Sequence, residues 1–196
     1  MIFYPIKMTV NFSSLNFNCF TAFLVGTLIF TFLGCNNDDP TPANEEEVIT
    51  TLQVTLAPAG GGIPITLKFF DADGEQGSAA PVITVSGQLK SSTQYAAVID
   101  LRNETVDPAA NVSEEVAQEA HDHLFCFTPG SGIITVRYED ADSNGLPLGL
   151  ISTWQTGAPG KTTITISLRH QAGTKTGECP GTGETDLEVT FDVVVE

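Results

Sequence analysis

Apolar and polar residues alternate with a period of two along most of this chain. Leu52, Val54 and Leu56 alternate with Gln53 and Thr55, and Ile65, Leu67 and Phe69 alternate with Thr66 and Lys68. The pattern continues through PVITVSG, TQYAAVIDLRN, HLFCF, GIITVRYED, LISTWQT, KTTITISLRH and DLEVTFDVVV, each bounded by Gly, Pro, Asp or Asn. Successive side chains of a strand point to opposite faces, so alternation assigns one face of each run to a core. Roughly seven to nine short strands at this spacing predict an all-β fold: an antiparallel, immunoglobulin-like β-sandwich over residues 48–196. One segment departs from the pattern. In NVSEEVAQEA, residues 111–120, Val112 and Val116 are four apart, Asn111 or Ser113 can cap, and glutamates occupy the first turn. It predicts a single short helix.

The first 34 residues follow a different logic. Lys7 is the only charge before Asp38, and FTAFLVGTLIFTFL, residues 20–33, is almost unbroken apolar sequence. A span of that length falls short of the ~20 residues that a membrane-crossing helix needs. A basic n-region, a short apolar h-region and a small residue before the cut read as a secretory signal. Phe32-Leu33-Gly34-Cys35 resembles the lipobox of bacterial lipoproteins, in which the cysteine receives a diacylglyceryl group and further acylation. This implies lipid attachment at Cys35, with palmitate-type chains holding the protein on a bilayer. An ordinary secreted protein with an incidental cysteine is the alternative. Residues 35–47, with Asn36-Asn37-Asp38-Asp39 and Glu45-Glu46-Glu47, are acidic and polar and predict a flexible tether. An acidic patch directly after the acylated cysteine resembles the surface-export signal of Bacteroidetes lipoproteins. The expected location is the outer membrane, on its periplasmic or cell-surface face.

Composition narrows the partners. The chain carries 24 acidic and 8 basic residues, a formal charge of −16, and loss of the leader removes a further base, Lys7. Such acidity repels nucleic acid, which is therefore not an expected partner. Cys19 leaves with the leader and Cys35 carries lipid, so Cys126 and Cys179 are the remaining thiols. In an oxidising compartment that pair predicts a disulfide.

The segments EEEVITTLQVTLAP, GGIPITLKFFDADGEQG, APVITVSGQLKSSTQY, IDLRNET, EAHDHLFCF, VRYEDADSNGLPLGL and ETDLEVTFDVVV together resemble a family of small flavobacterial lipoproteins. These are often labelled "type 1 periplasmic binding fold superfamily". That label describes a two-lobed α/β chain, whereas the alternation here predicts the sandwich. The resemblance implies an accessory role beside a TonB-dependent outer-membrane receptor, and it supplies no reaction.

Two constellations carry candidate chemistry. Asp140-Ala141-Asp142-Ser143-Asn144-Gly145 fits D-x-D-x-N-G, which gathers oxygen ligands on one turn. The twelfth position is Ile151 rather than Glu and a strand precedes the loop, so an EF-hand is excluded. A calcium site on a hairpin loop, with Asp140, Asp142 and Asn144 as ligands, competes with a turn that needs Asp, Asn and Gly for its backbone. Asp71-Ala72-Asp73-Gly74-Glu75 is a second such loop.

The histidines form the other constellation. Strand parity places His121, His123, Phe125 and Phe127 on one face, and Ile164, Ile166, Leu168 and His170 on one face. His123 and His170 thus stand where an apolar face ends, and three imidazoles converging there would suit a transition metal or haem. The competing reading has His123 closing the core edge on a backbone carbonyl while His121 is solvated. No G-x-S-x-G, H-E-x-x-H, C-x-x-C or phosphate-binding glycine loop is present, so a hydrolytic enzyme is disfavoured. The expected function is a non-catalytic binding or accessory module, with a metal or haem carrier as the alternative and calcium as the candidate cofactor.

Overall fold

The computed structural model describes residues 47–74 and 77–196. The expected signal peptide, Cys35, the tether up to residue 46, and Glu75 lie outside them. Ten strands and one helix follow one another: β1 (Thr51–Pro58), β2 (Ile65–Phe70), β3 (Val82–Val85), β4 (Gln94–Asn103), β5 (Ala110–Asn111), α1 (Val112–Gln118), β6 (His123–Pro129), β7 (Ile134–Tyr138), β8 (Ile151–Thr156), β9 (Gly160–His170) and β10 (Glu184–Val195). All nine alternating runs are strands. The two-residue β5 is too short to leave a periodic signal.

Every strand pairing is antiparallel. The larger sheet runs β3-β2-β1-β4-β8-β7, with β5 also on β4, and the smaller runs β10-β9-β6. The arrangement is the expected β-sandwich. Its core is made by the inward parity of each strand: Leu52, Val54 and Leu56 of β1 share one apolar cluster with Ile164, Ile166 and Leu168 of β9, all fully buried. Trp154 of β8 lies among them, its indole N–H donating to Ser152 Oγ at 3.0 Å and its ring edge-on to Phe127. On one side the sheets are laced together where Leu89, after β3, donates to Val194 O at 2.9 Å and accepts from Glu196 N at 2.8 Å.

The helix is shorter than 111–120. It ends at Gln118 because the chain turns at once, Asp122 N donating to Glu119 O at 2.8 Å, to start β6. Val112 and Val116 face the core, as their spacing requires. Neither expected cap bonds the helix backbone: Asn111 Nδ2 donates to Glu114 Oε1, and Ser113 Oγ accepts from Leu101 N at 2.6 Å, fastening α1 to β4. Among the described residues, no helix is long and apolar enough to cross a membrane.

Candidate metal centre

The inward face of the small sheet is apolar for most of its length and polar at one end. There β6 begins at His123, β9 ends at His170, and β10 begins at Glu184. His123 pairs with His170, and His170 with Glu184. The two imidazoles are stacked, ring centroids 4.8 Å apart and planes 11° from parallel.

On β10 the alternation Leu187, Val189, Phe191, Val193, Val195 would direct Asp186 away from the core. The register shifts between Thr185 and Leu187, making Asp186 the extra residue of a bulge. A bulge re-aims one side chain without disturbing the rest of the strand. Here it brings an Asp186 carboxylate oxygen to 3.9 Å from His123 Nε2.

The third group comes from the opposite layer. Thr50 donates to Arg102 O and accepts from Asp71 N, so the chain just before β1 is already held on both sides. From there Glu47 places Oε1 at 2.8 Å from His123 Nε2. Glu47, His123 and Asp186 therefore offer one ligand atom each within 4.8 Å of one another, and this buried cluster can chelate a metal ion. Ligands about 2.05 Å from a tetrahedral zinc ion stand about 3.3 Å apart, between the 2.8 and 3.9 Å separations seen here.

Electrostatics sharpen the point. His123 is fully buried, and its Nδ1 lies 3.2 Å from Glu119 O. A carbonyl only accepts, so Nδ1 carries the proton. In the neutral ring Nε2 is then a bare lone pair facing two carboxylates. That arrangement repels itself unless a positive charge sits among the three groups, either a proton on Nε2 or a metal ion. Burial works against both charged forms, raising Glu47 and lowering His123. Their mutual attraction outweighs it, with smaller help from the Glu119 carbonyl and Asp186 at His123 and from His170 at Glu47. Glu47 ends below the usual carboxylate range and His123 above the usual imidazole value. The Nε2–Oε1 approach is close but is not aligned as a hydrogen bond, and Glu47 Oε2 is buried without a hydrogen-bond partner.

His121 is 59% exposed and pairs with Asp122 at 3.0 Å, apart from the His123–His170 stack. In the 140–145 loop Asp140 accepts from the amides of Gly149 (2.7 Å) and Ile151 (2.8 Å). Asp142 Oδ1 accepts from Asn144 N (2.8 Å) and Leu146 N (2.9 Å), and Asp142 Oδ2 lies 3.1 Å from Lys175 Nζ. Asn144 is exposed and contributes its amide. These oxygens thus define a turn, and the protein's own ammonium occupies the place beside Asp142. Lys175 also donates to Ala120 O at 2.7 Å. Cys126 and Cys179 form a disulfide, which fixes the 171–183 loop bearing Lys175 against β6.

Sequence reasoning located His123 and His170 but not their acidic partners. Glu47 sits in an acidic run that resembles a tether, and Asp186 has the wrong parity until a bulge shifts it. No family model, curated protein or solved structure matches the chain.

Proposed function

We propose that this domain is a non-catalytic metal-binding module that holds one divalent first-row transition ion on Glu47, His123 and Asp186. The observation that carries the reading is the buried His123 Nε2, its ring oriented by Glu119 O, with carboxylate oxygens of Glu47 and Asp186 at 2.8 and 3.9 Å. One nitrogen and two oxygens form a borderline set that suits Zn²⁺ first and Mn²⁺ or Fe²⁺ next, better than all-oxygen calcium chemistry. An ion is favoured over haem, because the adjoining acidic residues would repel haem propionates. His170 stacks on the ligand ring and limits its rotation. The lipobox-like Phe32–Cys35 and the family resemblance support a setting on the outer membrane, where an acylated carrier beside an uptake receptor would present or buffer the ion.

The test is calorimetric titration of chelator-stripped protein with Zn²⁺ and then Mn²⁺. We expect one saturable zinc site with micromolar or tighter affinity, lost in His123→Gln. Absence of saturable binding by either ion would overturn the reading and leave the cluster as a buried ion pair.

A further inference from the structure

Beside the metal centre lies a cavity of about 630 Å³, lined on one part by Glu47 and Asp186. Asp71, Asp73 and Glu188 add three more carboxylates to its lining, and no Lys, Arg or His among the described residues belongs to it. The intervening wall is apolar, formed by Ile49, Phe69 and Leu187. Its volume falls within the ~300–1,000 Å³ of small-molecule sites.

Asp71 is the residue that demands an occupant. It directly follows β2, is anchored through its amide to Thr50 O at 2.8 Å, and is only 8% exposed. Its Oδ1 is buried with no hydrogen-bond partner. Asp73, whose Oδ2 is gripped by the amides of Ser78 (2.7 Å) and Ala79 (3.1 Å), lies against it. A buried carboxylate oxygen without a donor is costly, and a cation supplies what Asp71 Oδ1 lacks.

The walls decide which kind. A bare calcium ion would satisfy carboxylates but leave the apolar surface of Ile49, Phe69 and Leu187 uncovered. A primary ammonium brings three donors on a compact charge, and an alkyl stem behind it would cover the apolar wall. We propose that this cavity binds a small organic amine, its ammonium on Asp71 and its alkyl body against Ile49, Phe69 and Leu187. Glu47 and Asp186 border both sites, but Asp71, which would hold the ammonium, is not a metal ligand, and His123 does not line the cavity.

Calorimetric titration with 1,5-diaminopentane tests it, with 1,5-pentanediol as the uncharged control. We expect saturable binding of the diamine, none of the diol, at least a tenfold loss in Asp71→Asn, and a several-fold loss in Glu188→Gln, a rim change that leaves the buried groups untouched. His123→Gln should retain diamine affinity within twofold while losing zinc, which separates the two sites. Failure of the wild-type protein to bind the diamine overturns the proposal. So does undiminished binding by both carboxamide variants, or equal binding of the diol.

Discussion

At the scale of single residues, the tautomer of His123 governs the site. Its Nδ1–H is committed to Glu119 O, so only Nε2 can meet an ion, and an amide side chain at this position cannot supply that lone pair in the same place. We expect His123→Gln to weaken zinc by at least about 100-fold, and Glu47→Gln by about 10- to 100-fold, as for loss of one ligand or an orienting partner. His121→Ala should leave affinity within twofold, because that ring faces Asp122 and solvent. Calorimetry on the three variants checks the order. What sequence made legible here was parity: two imidazoles at the ends of apolar faces. It did not reveal Glu47, because a carboxylate in an acidic run has no signature until a distant strand comes to it.

At the scale of elements, alternation identified every strand of four residues or more, since one buried face leaves a period that composition does not blur. The bulge in β10 was not legible. It inserts a residue whose polarity fits the outward parity it would otherwise have had, and only the pairing with β9 exposes the shift. The D-x-D-x-N-G loop shows the converse, a motif whose chemistry the fold uses internally. Asp142 and Lys175 are nearly inaccessible, their side chains 1% and 2% exposed. Burial alone would raise the Asp142 pKa; the amides of Leu146 and Asn144 and the Lys175 ammonium outweigh it and hold the group below the usual carboxylate range. A depressed folded pKa gives stability that is present above the unfolded value and is lost as pH falls through the folded one. Urea melts should therefore show the wild type losing stability below about pH 4, with a shallower acid dependence in Asp142→Asn. Lys175→Met, which removes that ammonium, should lower stability at neutral pH by about 1 kcal/mol.

At the scale of the whole molecule, the Cys126–Cys179 bridge closes a separation of 53 residues. It does so across the loop that carries Lys175. On the chain-entropy account such a loop is worth about 4 kcal/mol. We expect Cys126→Ala/Cys179→Ala to lower unfolding free energy by about 2–4 kcal/mol in denaturant melts. Zinc affinity should be reduced much less, since the three ligands stand on the opposite side of β6 from the cysteine.

The position of Glu47 has a mechanical consequence. It is the third residue before Thr50, which among the described residues is the first held by backbone hydrogen bonds to two neighbouring segments. A pull arriving from the residues that precede it reaches Glu47 before it reaches β1. Its carboxylate, paired with His123 on the other sheet, would bear that load across the sandwich as a clasp. With an ion in place, tension on the leading segment would be resisted by coordination bonds. Without one, the same tension would first draw a ligand out of the centre, so that pulling on the protein and emptying it of metal become the same event.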